Sequence, residues 1–495
     1  MCNHCCLIVY KLCENNFSFG RKVVFLQKLL IMSRYFSYQL EDDAGELVTR
    51  YEKYLQGSDP GYFDVDEMER IVDFYLLYGR TKDSLNAVEL GKKLHPSSSA
   101  LDTKRAKIYL ATGDVNKAYR ILSNLLEDSD TEVIYLKIEA LVKLERLVEA
   151  RALANVLIDE ENEEVDQVCI DIAMIFMAES KIDYAYEILG IGDKHNPKNI
   201  DLLFELAFCQ EQKSLLPEAI ATYLRIIDID TYIGEAWFNL GQIHFILNEF
   251  EEAIEAYDYA LVINEKDSIS LLQKAHAHFQ LNQLELAIET YLAYTEMITE
   301  KWQVMLFVGE SYEKLENFPK AYYYYKLSLD EMEDNYDALI GISVCMLEME
   351  QYTECMEYIQ RAMKINDGMS EAWVYMAEAY IGLDNVDDAL EAYLKAISID
   401  PNQADTLLAI GNIYMDNAEF QLALKYYEAA FSLDATLENI ELFLSVANYY
   451  TGNYEETADY LKQALSRNLD AAQLFLELCP GAEKTFLSPD KPEVK

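Results

Sequence analysis

The sequence predicts an all-α protein built from repeated pairs of helices, and two observations support this. Among 495 residues there are only 18 Gly and 9 Pro. Since Gly and Pro break helices and mark turns, their scarcity favours helices over an all-β architecture. Small and aromatic side chains also recur at a fixed interval of 34 residues, which is typical of a tandem array of one structural unit.

The clearest repeat spans residues 370–403. It carries aromatic and small residues followed by a closing Pro, in this order: Trp373, Met376, Ala377, Tyr380, Ala389, Tyr393, Ala396 and Pro401. Steps of 34 residues from Ala389 reach Cys355, Ala321, Ala287, Ala253, Ala219 and Ala185 in one direction, and Ala423 and Thr457 in the other. Nine repeats therefore keep register from Asp166 to Ala471. Three looser repeats precede them, which makes twelve from Val65 onward.

The repeated residue types have a packing reason. Each repeat is predicted to be a first helix (helix A), a short turn and a second helix (helix B). Small residues at the slots of Ala377 and Ala389 let the two helix axes approach closely, and an aromatic residue beside each slot fills the remaining space. Pro96, Pro197 and Pro401 stop three of the B helices, because Pro cannot continue a helix interior.

These residues resemble the tetratricopeptide repeat, and the chain is similar to long bacterial proteins that consist of such repeats. The resemblance implies an all-α, right-handed superhelical solenoid of about twelve 34-residue helix-turn-helix repeats. It also implies a non-catalytic scaffold that binds other proteins through the concave groove of the superhelix.

The repeats divide the chain into four predicted regions. Residues 1–31 form a basic extension outside the repeat pattern, and residues 32–64 contain an N-terminal capping helix. Residues 65–471 form the tandem array, and residues 472–495 contain a C-terminal capping helix and a disordered tail. Caps are expected because the two ends of a solenoid would otherwise expose an apolar face.

The N-terminal extension allows three interpretations. Translation starts at Met32, so that residues 1–31 are not part of the protein; or the stretch is a basic, weakly hydrophobic arm; or its Cys and His residues bind a metal (Cys2, His4, Cys5, Cys6 and Cys13). The metal interpretation is the weakest, because structural zinc sites draw on two separated ligand pairs.

Charge and cysteine usage limit the function classes. With 41 basic and 87 acidic residues the net charge is −46, which repels phosphate backbones and anionic lipids. We therefore expect protein partners, no nucleic acid and no integral membrane segment. Cysteines scattered singly through the helical pattern indicate reduced, buried thiols and a cytoplasmic location.

No catalytic, cofactor-binding or metal-binding motif is present in the sequence, so we predict no enzyme activity and no cofactor. His244 and His278 occupy one slot in adjacent repeats, where the family usually has a core aromatic residue, and His276 is close to the second. We interpret all three as core residues and not as metal ligands.

In this family the groove is lined by helix A positions 2, 5, 6, 9, 12 and 13, counted with Ser370 as position 1. The candidate groove residues are therefore Phe204, Phe208, Phe238, Asn239, Gln242, Phe245, His276, Phe279, Glu310, Tyr375 and Glu378. From residue 200 onward, Lys314 is the only Lys or Arg in these positions, so a basic clamp for a terminal carboxylate is not expected. Nor is an asparagine ladder, because only Asn239 matches it. The composition favours partner segments with apolar anchors and Lys or Arg flanks.

An alternative function is a structural subunit of a larger multiprotein assembly, in which the array would pack against fixed neighbours. The sequence does not identify the partner proteins in either case.

Overall fold

The computed structural model describes residues 45–58, 61–125, 131–161, 163–468 and 470–482. In these residues all regular secondary structure is helical, and no strand occurs. Helix α1, over residues 45–55, precedes twelve helix pairs, and one more helix follows them. The prediction of an all-α fold with about twelve helical repeats is therefore confirmed. The chain forms two compact units, Met1–Glu265 (unit 1) and Lys266–Lys495 (unit 2).

Unit 1 contains six helix pairs after α1. Its A helices are α2 (Val65–Leu77), α4 (Ser99–Ala111), α6 (Thr131–Lys143), α8 (Val165–Ala178), α10 (Ile200–Gln212) and α12 (Gly234–Ile246). Its B helices are α3 (Thr81–Leu94), α5 (Val115–Asn124), α7 (Leu147–Glu160), α9 (Ile182–His195), α11 (Leu216–Ile229) and α13 (Phe250–Ile263).

Unit 2 contains six further pairs and a terminal helix. Its A helices are α14 (Ser268–Gln280), α16 (Trp302–Lys314), α18 (Tyr336–Glu348), α20 (Ser370–Gly382), α22 (Ala404–Asp416) and α24 (Ile440–Thr451). Its B helices are α15 (Leu284–Thr295), α17 (Phe318–Glu331), α19 (Tyr352–Ile365), α21 (Val386–Ile399), α23 (Phe420–Leu433) and α25 (Tyr454–Arg467), and α26 (Ala471–Leu478) follows.

The small slots lie where the helices of a pair touch. The residues 34 apart that were aligned with Ala389 are all fully buried. The other small slot shows why size matters: a Cβ on Gly309 would lie 2.6 Å from ring atoms of Tyr325, the core tyrosine of the same pair. Since real Cβ atoms do not approach so closely, the ring would have to move, and overpacking of this kind costs about 1–3 kcal/mol.

The A helices form the more closely packed layer of each unit. Besides its own B helix, an A helix contacts the A helix of the next repeat, for example α2 with α4 and α8 with α10 in unit 1, and α16 with α18 in unit 2. We call the side of the A helices that carries positions 2, 5, 6, 9, 12 and 13 the inner face.

Position 15 of every repeat, just after helix A, has a left-handed backbone. Three repeats place Gly there, namely Gly79, Gly113 and Gly452. The other nine place a residue with a side chain at φ between 54° and 60°, namely Glu145, Ser180, Ser214, Asn248, Asn282, Glu316, Glu350, Asp384 and Ala418. The amide of the next residue then donates to a carbonyl in the last turn of helix A, as from Asn317 to Tyr312 (2.9 Å). This bond ends helix A and redirects the chain into helix B.

The ends of the array carry additional helices. Leu47, Val48 and Tyr51 of α1 are buried against the first repeat, whereas Leu55, at the end of the helix, is 58% exposed. Phe475 of α26 is buried against Leu442 and Val446 of α24. Residues 1–31, with their candidate metal ligands, and the tail from 483 lie outside the described residues, and the four-region division stays a prediction. No helix in the described part is long and apolar enough to span a membrane.

Candidate protein-binding face

The inner face of unit 1 presents aromatic side chains on α10 and α12. Phe204, Phe208, Phe238 and Phe245, together with Gln242, are half-buried, so each keeps part of its surface open to solvent. Asn239, the sixth predicted residue in this unit, lies deeper and is 8% exposed. Five of the six predicted residues in unit 1 therefore lie at the surface of the inner face.

Core aromatic residues fix these rings from below. The ring centroid of Phe204 lies 6.1 Å from that of Tyr223, and Phe238 lies 6.0 Å from Tyr257. Phe245 packs edge-on against Phe250 at 5.2 Å. Tyr223 and Tyr257 are fully buried, so they are held firmly by the core. Their contacts therefore orient the rings of Phe204 and Phe238 in the protein alone.

In unit 2 three predicted residues lie beneath the surface. His276, Phe279 and Glu310 are 6%, 3% and 9% exposed. His276 Nδ1 is 2.6 Å from the hydroxyl of Tyr291, and its ring packs edge-on against Phe307 at 4.9 Å. Burial lowers the pKa of His276 to about 4, so the imidazole is neutral at pH 7 and can accept a hydrogen bond from the phenol. These three side chains therefore pack within the layer of A helices and do not form its surface.

Lys314, the Lys predicted at these positions, is exposed and lies over an aromatic ring. Its Nζ lies 4.3 Å from the ring centroid of Phe279, which places the charge over an aromatic face. The lysine therefore covers the buried phenylalanine ring while its own side chain stays in contact with solvent.

The remaining two predicted residues lie on α20. Tyr375 is half-buried, and Glu378 is exposed to solvent but has protein atoms around most of its carboxylate. Loss of hydration raises the pKa of Glu378 to about 6, and the nearby charge of Glu348 adds to the shift. Ile381, one turn further along α20, is 41% exposed. This part of the inner face is therefore apolar and acidic together.

Sequence reasoning missed a set of tyrosine hydroxyls that reach the inner face from helix B. Tyr223 donates to Glu211 Oε1 (2.5 Å), and Tyr325 donates to Glu313 Oε2 (2.6 Å). Tyr427 does the same with Asn412 Oδ1 (2.8 Å). All three tyrosines occupy the slot of Tyr393. The 34-residue period could therefore have indicated that tyrosines of helix B recur beside polar residues of helix A.

The structure also reveals a charged inner face in the first four repeats, which we call the paired face. Lys104 donates to both carboxylate oxygens of Asp73 on the preceding A helix, at 2.9 and 2.7 Å. Lys107 reaches Glu132 on the next A helix (3.3 Å), and Lys143 reaches Glu179 beyond the end of α8 (2.6 Å). These bonds link neighbouring repeats and neutralise the carboxylates of Asp73, Glu132 and Glu179.

His244 and His278, the other two histidines considered in the sequence, serve the turns between helices A and B. His244 Nδ1 donates to Glu249 (2.7 Å), and His278 Nδ1 donates to Gln283 (2.7 Å). Each acceptor is the residue directly before helix B, so the bond holds the turn closed. His278 is buried as predicted, whereas His244 keeps part of its surface. Among the described residues no group of three His, Cys, Asp or Glu could hold a metal ion.

Models of the tetratricopeptide repeat match this chain at residues 234–267, 269–299 and 404–437, and a further model of the same repeat matches residues 377–418. The first and third of these stretches coincide with repeats that begin at α12 and α22. A model described as anaphase-promoting complex, cyclosome, subunit 3 matches residues 314–396.

A curated relative is Hsp70-Hsp90 organizing protein 3 of Arabidopsis thaliana, which is 22% identical over 236 residues. The match covers 46% of this chain and 40% of that relative, so the chain spans less than half of the relative's length.

Several solved structures are similar to the chain. They include the anaphase-promoting complex hetero-tetramer Cut9-Hcn1 (15% identity, TM-score 0.38, 78% of this chain and 96% of that chain). A tetratricopeptide repeat protein from Parabacteroides merdae has 17% identity and a TM-score of 0.38, with 50% of this chain and 98% of that chain covered. The repeat models agree with the helix pairs in the structure, and we conclude that this chain is a tetratricopeptide-repeat protein.

Proposed function

We propose that the chain is a non-catalytic protein–protein interaction scaffold, which binds partner segments on its inner face. The observation that carries the proposal is the set of half-buried aromatic rings on α10 and α12. An apolar side chain that stays partly in water forgoes part of the roughly 1.5–3 kcal/mol that full burial provides. A partner that covers Phe204, Phe208, Phe238 and Phe245 would recover that free energy.

Asn239 supports a polypeptide as the partner. Its side chain lies between Phe238 and Gln242 in sequence, on the same helix face, and is 92% buried. Within the described residues its Nδ2 group has no hydrogen-bond acceptor. A buried donor without an acceptor costs free energy, and a main-chain carbonyl of a bound segment would satisfy it.

Charge favours a basic segment. The inner-face positions of α10 and α12 contain the acidic residues Asp201, Glu205, Glu211 and Glu235 and no Lys or Arg. In unit 2, Glu348 and Glu378 lie beside half-buried Tyr375. A segment with apolar anchors and flanking Lys or Arg would match both surfaces.

The state of the ionisable groups supports a role without catalysis. Burial raises the pKa of the Cys169 thiol to about 11 and those of Cys209 and Cys355 to about 12, which keeps them as unreactive thiols. The free cysteines in the described part are all buried, in line with a reducing compartment, and we propose the cytoplasm as the location.

The double substitution Phe238→Ser and Phe245→Ser tests the proposal. Proteins captured from native cells by the wild-type chain and identified by crosslinking mass spectrometry should be lost with the double variant. The matched control is Tyr232→Ser, which removes a ring that is 83% exposed outside the inner face. Phe279 is unsuitable for this test because it is buried. Equal capture by all three proteins would show that the inner face is not the binding site.

The second candidate function is a structural subunit of a larger assembly. The observation that favours it is the match of residues 314–396 to the model of an anaphase-promoting complex subunit. Light scattering of the protein isolated from its native cells separates the two functions. A scaffold should be recovered as free chains at low concentration, whereas an assembly subunit should remain in one large species.

A further inference from the structure

We propose that the inner face of α12 binds its partner as an extended segment and not as a helix, because Asn239 needs a free main-chain group of that partner. The inference rests on the function proposed above, since it gives the conformation of the segment that is bound at the same face. A partner that presents only the side chains of a folded helix would therefore bind poorly on α12.

Asn239 lies among the aromatic residues of this face. Phe238 precedes it on α12, and Gln242 and Phe245 follow at the next two inner-face positions. These three neighbours are half-buried, whereas Asn239 is 8% exposed and so lies deeper. A segment that covers both phenylalanine rings must therefore pass over the asparagine.

The amide of Asn239 is not satisfied by the protein alone. Its Nδ2 atom has no acceptor within the described residues. Asn448, the buried asparagine of α24, differs in this respect, because its Nδ2 donates to the carbonyl of Leu444 one turn earlier (2.9 Å). The main chain of α24 therefore pairs the Asn448 amide. Nδ2 of Asn239 breaks no such bond to the described residues when it turns toward a bound segment.

An α-helix is a poor source of the required acceptor. Its interior carbonyls already accept from amides four residues further on, and its main chain lies inside a cylinder of side chains ~10 Å across. An extended segment has carbonyls and amides along both edges, and those on one edge recur every second residue, ~6.7 Å apart. Asn239 and Gln242 are three residues apart on α12, which separates their Cβ atoms by ~5–6 Å. Two main-chain groups on one edge can therefore meet both side-chain amides.

The extended conformation also determines how the apolar side chains of the partner are spaced. Successive side chains of an extended segment point to opposite sides, so every second residue faces the protein. The partner should therefore carry its apolar residues two positions apart. A helical partner would carry them three or four positions apart, so the spacing distinguishes the two kinds of partner.

Two fluorescent synthetic peptides of one composition, with equal numbers of Leu, Ser and Lys, test the inference with the full chain. The alternating peptide has Leu at every second position, and the helical peptide has Leu at intervals of three and four. We expect the wild-type chain to bind the alternating peptide at least about tenfold more tightly. The double substitution Phe238→Ser and Phe245→Ser should abolish this binding.

The variant Asn239→Leu separates recognition from stability. It should bind the alternating peptide about fivefold more weakly, because the main-chain hydrogen bond is lost. Its melting temperature should stay the same or rise, because an apolar group replaces a buried amide whose donor is unpaired. The matched control is Asn448→Leu, which removes a satisfied amide and should lower the melting temperature without changing the affinity.

Three results would overturn the inference, and they differ in what they say about the proposed function. Equal or tighter binding of the helical peptide, lost with the phenylalanine substitutions, keeps the face and gives it a helical partner. An unchanged affinity of Asn239→Leu, or a melting temperature lowered as far as in Asn448→Leu, keeps the face and removes the role of the amide. Binding that is absent, or that ignores the phenylalanine substitutions, contradicts the proposed face as well.

Discussion

The two inner faces of unit 1 share one fold and differ in chemistry. On the paired face, across α2 to α8, lysines bridge neighbouring A helices and satisfy the carboxylates they reach. On α10 and α12 the same helix positions hold phenylalanines and carboxylates, and no Lys or Arg. The comparison teaches that the repeat fixes where side chains are presented, whereas the residues at a few positions decide whether the face carries ion pairs between repeats or partly exposed aromatic rings.

A pH change tests how the inner face of unit 2 differs from those of unit 1, because the A helices of unit 2 pack around the buried imidazole of His276. The pKa of His276 is about 4 in the folded protein and near 6.5 when unfolded. The unfolded chain therefore gains a proton first, and stability should fall as the pH drops from about 6.5 to about 4, by an amount on the order of 3 kcal/mol. This loss of stability can be measured by hydrogen exchange of α14 and α16 at pH 7 and pH 4.5. The His276→Asn variant, which keeps an acceptor for Tyr291, should lose most of the pH dependence, and an unchanged dependence would contradict the assignment.

A tyrosine substitution tests the support beneath the aromatic face. Tyr223→Phe removes the hydroxyl that donates to the carboxylate of Glu211, which is 8% exposed. Since hydrogen bonds to charged groups contribute about 1.5–3 kcal/mol, we expect a loss of that size in the stability of α10 and α11. Tyr427→Phe, whose partner is the neutral amide of Asn412, should cost only about 1 kcal/mol. Denaturant unfolding monitored by hydrogen exchange gives both values, and equal losses would show that the charge of the acceptor is unimportant.

Breaking one bridge of the paired face should have a smaller effect. Lys143→Met leaves Glu139 and Glu179 without their shared cation and should destabilise α6 and α8 by about 1 kcal/mol, because the three groups are only partly buried. Lys117→Met removes an exposed pair with Asp114 and should leave stability unchanged, because solvent screens that pair. Repeating the exchange measurement at high salt provides the check, since salt should weaken the Lys143 bridge in wild type and leave the variant unaffected.

Substitutions at position 15, after helix A, should change stability only slightly, and by the same amount in both regions of unit 1 and in unit 2. Replacing Ser180, Ser214 or Ala418 by Gly should stabilise each repeat by about 0.5–1 kcal/mol, because all three adopt a left-handed backbone that Gly accepts without a Cβ clash. Gly113→Ala should have the opposite sign. Melting temperatures of the four variants provide the measurement. Unequal gains would mean that the repeats differ in more than their inner faces.

The helix pairs could be predicted from the sequence, but the burial of the individual inner-face side chains could not. The slot of Ala389 was predictable because close helix packing admits only small side chains, and this constraint acts within one repeat. Depth depends on neighbouring repeats. Phe208, Gln242, His276 and Glu378 share one helix position, yet they range from buried His276 to exposed Glu378. The helix position of a residue therefore does not predict how far a neighbouring repeat covers its side chain.

The paired face was missed for a related reason. Lys104, Lys107 and Lys143 occupy different helix positions and reach forward or backward along the array, so they follow no period. The repeat spacing is also irregular in this region, because Ala118, Ala150 and Ala185 are separated by 32 and 35 residues and not by 34. Aromatic pairing on α10 and α12, by contrast, followed from regular positions, and the structure places those rings on one face.

The left-handed residue after helix A has a practical consequence. Nine repeats hold residues as different as Glu, Ser, Asn, Asp and Ala at this point, and every one of these side chains is exposed. The backbone conformation thus tolerates almost any chemical group there. Spin labels or fluorophores attached at pairs of these positions within one unit would act as marks on a molecular ruler, able to report the stretching of the array under load or on ligand binding while leaving the helix contacts intact.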